Sequence, residues 1–287
     1  MNDYDEVLEK FKAYLEVTKT KSTTSYYLSI VRKFLRFVNK KIDDITIDDV
    51  ILFLSKIKNR ASAATHARVL KSFFKWLKRM DLYENIPVPR YERKLPEWVE
   101  EDKIMRVVDN FIKLYRMRGD KKLLLEICII LISYELALRR SEVVLLNRSD
   151  FDPEKCEVKV RKVKYGMGQV SEKPLPISKK LCSLLKEYLS IRTDNDPALF
   201  VSMSTGKRIS KEFVRRVAKS FGRIINKEDF RHHMFRHSRA TNLAIKGADL
   251  IDLVEILRHE NPRNTMIYLH MTSKHIRERL RRLGEEV

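Results

Sequence analysis

The stretch HHMFRHSRAT, residues 232–241, gathers basic side chains at the start of a helix that we predict over Met234–Ile245. His233 and Arg236 stand three residues apart in this stretch, so they share one face at a helix start. A lone pair of this kind is more often an ordinary surface or core feature. Its meaning therefore depends on the fragments that accompany it.

Two more fragments of the same half of the chain carry residues of matching chemistry. In ALRRSEVVLL, Arg139 stands three residues before Glu142. In LRHENPRNTMIY, His259 stands nine residues before Tyr268. A phosphodiester resists attack because its non-bridging oxygens are negatively charged. Cleavage without a metal therefore needs cations, a nucleophile and an acid for the leaving oxygen, and arginine suits the first task because its planar fork binds phosphate through two hydrogen bonds.

The charge of the chain indicates a polyanionic partner. Its 287 residues include 59 lysines and arginines against 39 acidic residues, a formal net charge of +20. An excess of this size favours a polyanionic partner over an ordinary basic surface. A membrane is not expected, because the apolar run Leu123–Tyr134 is too short to span a bilayer and contains Glu126. The acidic start, MNDYDEVLEKF, is also unlike a signal peptide.

The three cysteines, Cys128, Cys156 and Cys182, lie far apart and lack the spacing of metal ligands. A sparse, odd set is typical of the reducing cytoplasm, where we place the protein. We expect Cys128 to be a core residue. We expect neither a metal nor a cofactor.

The first 85 residues are predicted to form a small domain of four helices joined by short turns. We expect Thr23 or Thr24 to cap the second helix. Thr46 with Asp49 resembles a capping box before the third helix, and Ser62 opens the fourth.

A polar stretch with three prolines follows this domain. Pro87, Pro89 and Pro96 block helix continuation and stiffen an extended chain. We therefore predict a small helical domain over residues 1–85, a linker over 86–97 and a second domain over 98–287. We expect the two domains to grip opposite sides of a duplex as a C-shaped clamp.

The second domain is predicted to be mostly helical with a small antiparallel sheet. Val158 to Val163 and Pro174–Ile177 indicate paired strands, with Gly166 and Gly168 in the loop between them. The predicted helices are Val99–Met117, Lys121–Ala137, Ser178–Ile191, Ser210–Ile225, Met234–Ile245, Leu250–Leu257 and Ser273–Leu283.

Together the fragments resemble the boxes of the tyrosine recombinase and integrase family. The first box has the form G-L-R-x-x-E-L, and ALRRSEV at Ala137–Val143 matches its Leu, Arg and Glu. The second, H-x-L-R-H-x-x-A-T, is matched by HMFRHSRAT at His233–Thr241. The third is L-G-H with a nucleophilic tyrosine nine residues after the histidine, matched by Leu257–His259 and Tyr268. In the first domain, STTSYYLSIVRKFLRF and SAATHARVLKSFFKWL look like the family's core-binding helices.

The resemblance implies a role for each matched residue. Arg139 and Arg236 would clamp the scissile phosphate, and His233 and His259 would complete the cage of donors. Tyr268 would attack phosphorus, giving a 3′-phosphotyrosine and a free 5′-hydroxyl. Because the covalent link keeps the bond energy, no ATP would be required.

The family also uses a hairpin lysine to protonate the leaving 5′-oxygen. Lys164, at the end of the first strand before the glycines, is our first candidate. Lys162 would point the same way in a regular strand, and Lys173 is the third candidate. Each of the three could instead be a simple phosphate contact.

The chain departs from the family pattern at three positions and keeps its glutamate. Ala137 and Arg258 stand where the family usually has glycine, and Phe235 replaces leucine. Ala137 could restrict the backbone near Arg139. Arg258 either adds a cation beside the phosphate or faces solvent. Glu142 is expected to orient the site rather than react.

The resemblance implies a mainly α DNA breaking-rejoining enzyme fold that acts as a dimer or tetramer on a specific recombination site. Strand exchange would proceed through a Holliday junction. The layout looks most like Xer-type recombinases, including archaeal ones, which resolve chromosome dimers. The basic helix Ser273–Leu283 carries the apolar residues Ile276, Leu280 and Leu283, and either packs on its own domain or docks in a neighbouring subunit.

Three other functions remain as alternatives. A mobile-element integrase has the same minimal layout. A type IB topoisomerase shares the phosphotyrosine chemistry, but the two matched segments of the first domain favour a recombinase. A DNA-binding protein without catalysis is disfavoured, because both arginines, both histidines and the tyrosine are present.

Overall fold

The computed structural model describes residues 3–92, 96–161, 172–259, 261–269 and 284. These residues form two compact units, one ending at residue 92 and the other beginning at residue 96. Each unit has its own hydrophobic core. Within the described part of the chain, the helices are too short or too polar to cross a bilayer. The domain bounds given above stay a prediction.

The first unit is built from helices around an aromatic core. They are α1 (Asp3–Thr18), α2 (Lys21–Val38), α3 (Ile47–Ser55), α4 (Arg60–Trp76) and α5 (Met80–Asn85), with a 3₁₀ turn at Ile42–Asp44. The four predicted helices are present, and α5 is an addition to them. Phe34 packs edge-on against Phe53 and Phe74 in the core. The predicted capping box of Thr46 and Asp49 is confirmed.

Two helices in this unit begin before the residues predicted to start them. The Oγ1 of Thr20 accepts the N–H of Thr23, so Thr20 caps α2. The Oδ1 of Asn59 likewise accepts the N–H of Ser62 at 2.9 Å and caps α4. Thr23 and Ser62 are therefore the third residues of their helices. Their backbone N–H groups donate to the capping side chains, and their own side chains are not the caps. Thr24 is buried one residue further on.

The second unit packs its helices around α7. They are α6 (Glu101–Arg118), α7 (Lys121–Glu135), α8 (Arg140–Leu145), α9 (Lys179–Ser190), α10 (Lys211–Ile224), α11 (His233–Ile245) and α12 (Leu250–Leu257). Residues 263–269 form a further helical segment. Eleven residues of α7 are buried, and α6, α8, α9, α10 and α11 contact it. A helix that is apolar on nearly every side must be covered by other helices to be shielded from water. Helix α8 was not predicted.

A small antiparallel sheet lies beside these helices, as predicted. Its strands, in the order β1-β2-β3, are β1 (Phe151–Asp152), β2 (Glu157–Arg161) and β3 (Glu172–Pro176). Val158 of β2 is opposite Leu175 of β3, and both face the core. The two longer strands therefore form the predicted hairpin.

Several predictions fall outside the described residues. Lys162, Lys164 and both hairpin glycines belong to residues 162–171. The predicted helix Ser273–Leu283 lies beyond residue 269 as well. For Lys173 the structure describes the backbone, which pairs with Val160.

A disulfide joins Cys156, in the turn before β2, to Cys182 of α9, with their Cα atoms 5.5 Å apart. An oxidised pair is not what a sparse, odd set of cysteines predicts. The sequence could not indicate it, because the pairing depends on α9 folding back beside the β1–β2 turn. Cys128 is fully buried in α7, which confirms it as a core residue.

Candidate active site

Helix α11 is held firmly against the start of the second unit. Ser238 Oγ accepts the N–H of Val99 at 2.9 Å, and Asn242 Nδ2 donates to the Val99 carbonyl at 3.1 Å. Both contacts are buried. They fix the helix whose first turn carries His233 and Arg236. The pair identified in the sequence therefore stands on a rigid element.

Arg139 is positioned by the turn between α7 and α8. Ala137 in this turn has a φ of +48°, a left-handed conformation that glycine adopts more readily. This conformation ends α7 at Glu135, two residues earlier than predicted. Glu142 then accepts the backbone N–H of Arg139 at 2.7 Å and its Nη1 at 2.8 Å. The Arg139 side chain remains 40% exposed, so its guanidinium can reach an anion.

Arg236 is fully buried between two backbone turns. Its Nη1 donates to the Ala137 carbonyl at 2.7 Å, and its Nη2 donates to the Leu257 carbonyl. Its Nε has no hydrogen-bond partner among the described residues. Burial lowers the pKa of this guanidinium, as does the charge of Arg139. Arg236 thus connects the turn before α8 with the end of α12.

Arg258 does not face solvent, and that alternative is wrong. Its backbone is left-handed, with a φ of +53°, and the residue is 7% exposed. Both Nη atoms donate to the Leu136 carbonyl at 3.0 Å, and Nη2 also donates to Glu142 at 3.0 Å. The turn that ends α12 directs the side chain inward, where carbonyls left free at the end of α7 accept it.

The carboxylate of Glu142 is ionised in this surrounding. Burial alone would raise its pKa, but the charge of Arg258 and the hydrogen bonds from Arg139 together lower it. Glu142 therefore holds both arginines in place, which fits the orienting role expected for it.

His259 lies close to the end of α12. Its Nδ1 is 2.8 Å from Oγ1 of the buried Thr265. Burial, followed by the charges of Arg236 and Arg139, lowers the pKa of His259 to about 4. The imidazole is therefore neutral at pH 7.

Tyr268 stands on the helical segment 263–269 and is 2% exposed. Its ring belongs to a small apolar cluster that includes Ala137, Ala240 and Leu257. Burial raises the pKa of its hydroxyl, whereas the charges of Arg236 and Arg139 act to lower it.

His237 contacts the Tyr268 hydroxyl and was missed as a site residue. Its Nδ1 lies 2.6 Å from Tyr268 Oη. Its ring stands nearly perpendicular to that of His233, with centroids 4.4 Å apart. The sequence held one indication, because His237 is the second histidine of HMFRHSRAT and follows Arg236 directly.

The structure brings five of the predicted site residues together. The positive charges of Arg139 and Arg236 act on three of them, His233, His259 and Tyr268. Lys164, the sixth, lies outside the described residues. Within the described part of the chain, no group of three or more histidine, cysteine or acidic residues could hold a metal ion.

A basic cavity of about 540 Å³ adjoins this cluster and shares His233 with it. Its other lining includes the cations Arg140, Arg215, Lys219 and Arg231, as well as the carboxylates Glu228 and Asp229. The excess of cations suits a phosphate backbone that runs past the cluster.

Comparison with known proteins places the chain in a family. The model of the phage integrase family matches residues 97–275, and that of the phage integrase N-terminal SAM-like domain matches residues 7–84. Tyrosine recombinase XerA of Pyrococcus horikoshii is 32% identical over 283 residues, which cover 95% of this chain and 92% of that protein.

Solved structures share the fold. XerH recombinase in a post-cleavage complex with a palindromic difH substrate has a TM-score of 0.74 at 20% identity, covering 97% of this chain and 84% of that one. A lambda integrase dimer bound to a COC′ core site has a TM-score of 0.69 at 15% identity, covering 92% and 76%. The predicted mainly α fold of DNA breaking-rejoining enzymes is thereby confirmed. With family models matching both parts of the chain, the protein belongs to the phage integrase family of tyrosine recombinases.

Proposed function

We propose that this protein cleaves and rejoins double-stranded DNA at a specific site, with Tyr268 as the nucleophile. The observation that carries the proposal is the clustering of one tyrosine hydroxyl with two arginines and three histidines around the start of α11. A phosphodiester needs this set of groups for attack without a metal.

The arginines would bind the non-bridging oxygens of the scissile phosphate. Arg139 is partly exposed and already oriented by Glu142. Arg236 is buried, and the two carbonyls that it binds fix its guanidinium beside Arg139. Donors fixed before the reaction need no reorganisation when negative charge develops in the transition state, and each contributes about 3 kcal/mol.

The covalent step exchanges one phosphate ester for another. Oη of Tyr268 bonds to phosphorus as the bond from phosphorus to the 5′-oxygen breaks. The leaving oxygen takes a proton and becomes a free 5′-hydroxyl, and Lys164 is the proposed donor on the strength of the family resemblance. Attack by a 5′-hydroxyl on the 3′-phosphotyrosine reverses the step and rejoins the strand, so ATP is not consumed.

The proposed substrate is a recombination site that several copies of the chain bind together. The net charge of +20 and the basic cavity beside His233 support a DNA duplex. Relatives that carry Xer names support the resolution of chromosome dimers. Strand exchange through a Holliday junction is proposed on the strength of the family resemblance. An integrase of a mobile element remains the second candidate, because lambda integrase shares the fold.

The test uses the Tyr268→Phe variant first as a binding reagent. The ring keeps its packing in the apolar cluster, so DNA binding should be retained. Sequencing of the DNA that it recovers from a random pool gives the site. A duplex of that sequence, nicked close to the cleavage position, should trap wild-type protein as a covalent adduct.

Tyr165, which follows Lys164 in the sequence, is the rival nucleophile that we test. Tyr268→Phe should form no adduct on this duplex, while the matched control Tyr165→Phe should form it normally. If Tyr268→Phe forms the adduct and Tyr165→Phe does not, the nucleophile is Tyr165.

Supercoiled plasmids with and without two copies of the site separate recombinase from topoisomerase activity. Relaxation of both plasmids would indicate a topoisomerase, whereas resolution of the two-site plasmid alone supports a recombinase.

A further inference from the structure

We propose that His237 is the catalytic base that accepts the proton of Tyr268 during strand cleavage. The proposal rests on the proposed function, because it assumes that Tyr268 is the nucleophile. It adds a residue that neither the sequence analysis nor the family roles assigned.

The geometry of the contact supports a direct proton transfer. Nδ1 of His237 is 2.6 Å from Oη of Tyr268, which is within the distance that a general base requires. The two rings lie 5.8 Å apart between centroids. Tyr268 is 2% exposed and His237 is half-buried, so water has little access to the hydroxyl. A proton that leaves Tyr268 therefore has a protein acceptor at hand.

The other two histidines of the cluster are less suitable acceptors. The Nδ1 of His259 is engaged with Thr265. The ring of His233 stands nearly perpendicular to that of His237, with centroids 4.4 Å apart. Among the described residues, His237 is the side chain that hydrogen-bonds the Tyr268 hydroxyl.

His237 is in the protonation state that a base needs. Burial, followed by electrostatic repulsion between a protonated His237 and His233, Arg236 and His259, lowers its pKa to about 4. The imidazole is therefore neutral at pH 7 and can use Nδ1 as an acceptor, with its hydrogen on Nε2.

Binding of DNA should strengthen this base. The scissile phosphate brings a negative charge next to Arg236 and Arg139, which are among the cations of the cluster. Opposite charge nearby favours the protonated imidazole, so the phosphate raises the pKa of His237 in the complex. The base would thus become effective when the substrate is in place.

The proton balance closes in both directions. In cleavage, His237 Nδ1 takes the hydrogen of Tyr268 Oη while that oxygen bonds to phosphorus, and the acid gives its own proton to the 5′-oxygen. In rejoining, the acid takes back the proton of the attacking 5′-hydroxyl, and the imidazolium returns its proton to the departing tyrosine oxygen. No additional reactant is needed.

The experiment compares His237→Asn and His237→Ala with wild-type protein on the nicked duplex. Asparagine places a hydrogen-bonding group near the position of Nδ1 but is not a base. We expect adduct formation to slow about 100-fold or more in both variants, the usual contribution of a general base. Melting temperature and duplex affinity, measured on the same samples, should stay near wild type.

The pH dependence separates a base from a positioning contact. Without the base, deprotonation of Tyr268 depends on hydroxide, so the rates of both variants should rise about tenfold for each pH unit between 7 and 9. Added imidazole should speed His237→Ala. The proposal would be overturned if the wild-type protein forms the adduct and His237→Asn forms it at the same rate and with the same pH profile. The contact would then only position the tyrosine ring.

A second substrate assigns the site of proton transfer. Sulfur in place of the bridging 5′-oxygen leaves without protonation, so it should not rescue either His237 variant. Rescue would show that His237 serves the leaving oxygen, and would overturn the proposal. If wild-type protein forms no adduct on any recovered site, the proposed function itself fails, which is a distinct result.

Discussion

Arg258 donates a hydrogen bond from Nη2 to the Glu142 carboxylate at 3.0 Å, across the gap between the end of α12 and the start of α8. The two side chains are 6% and 11% exposed, so solvent screens their attraction little. Glu142 in turn holds the guanidinium of Arg139. Arg258, which stands where the family usually has glycine, therefore helps to position Arg139, a proposed phosphate ligand, through the carboxylate of Glu142.

Replacing Arg258 by the glycine typical of the family should destabilise the protein. Arg258→Gly relieves the left-handed backbone, but it leaves Glu142 with a buried charge and removes the donors to the Leu136 carbonyl. Breaking a buried ion pair typically costs about 3–5 kcal/mol, and the relieved backbone returns about 1 kcal/mol. We expect urea denaturation to show a net loss of about 2–4 kcal/mol.

Arg258→Lys is the matched control, because it keeps the charge but cannot reproduce the planar fork. It should lie between Arg258→Gly and wild type. Adding Glu142→Gln to Arg258→Gly should recover part of the loss, since the buried carboxylate, left with the partly exposed Arg139 as its cation, is then neutral. A protein with Arg258→Gly that is as stable as wild type would show that this ion pair has no net value.

The three boxes and the fold could be predicted, because they depend on local spacing and periodicity. His233 and Arg236 needed only a helix start, and the predicted bounds of α12 were correct. The contacts of Arg258 and His237 could not be predicted, because they join segments that are far apart in sequence. The disulfide between Cys156 and Cys182 was missed for the same reason. Local patterns do not specify which distant turns meet.

Stability should fall in mild acid because of His232, which is 5% exposed. Ser133 donates its hydroxyl hydrogen to the Ile129 carbonyl, so its Oγ accepts the hydrogen on Nε2 of His232 at 2.9 Å. The Nδ1 of His232 is buried without a hydrogen-bond partner among the described residues. Burial, followed by the charges of His233 and Arg140, lowers the pKa of His232 to about 3.

The folded pKa of His232 is below the unfolded value of about 6.5, so the unfolded chain takes up a proton first as the pH falls. The contribution of neutral His232 to the free energy of unfolding is complete above pH 6.5 and is lost between pH 6.5 and about 3. At pH 4 the loss should be roughly 3 kcal/mol. His232→Gln keeps a donor for Ser133 but does not titrate, so its denaturation curves at pH 7, 5.5 and 4 should change less. Parallel losses in both proteins would assign the acid sensitivity elsewhere.

Reduction of the disulfide should destabilise the second unit. The bridge between Cys156 and Cys182 closes a loop with a sequence separation of 26 that contains β2 and β3. Cross-linking a loop of this length stabilises a protein by about 3 kcal/mol in the chain-entropy account. We expect dithiothreitol to lower the melting temperature of wild type and to leave the double variant Cys156→Ser, Cys182→Ser unchanged. Equal melting temperatures for oxidised and reduced wild type would contradict this.

The hairpin lysine can be identified by the atom that it serves. If Lys164 protonates the leaving 5′-oxygen, Lys164→Ala should cleave the normal nicked duplex about 100-fold or more slowly. A substrate with sulfur at that bridging position leaves without an acid, so the same variant should recover most of its rate on it. Arg139→Ala should not recover, because its proposed role concerns the non-bridging oxygens. Lys162→Ala and Lys173→Ala are the matched controls. If one of them is slow on the normal duplex and regains its rate on the sulfur substrate, while Lys164→Ala cleaves both substrates at the wild-type rate, the acid is that other lysine.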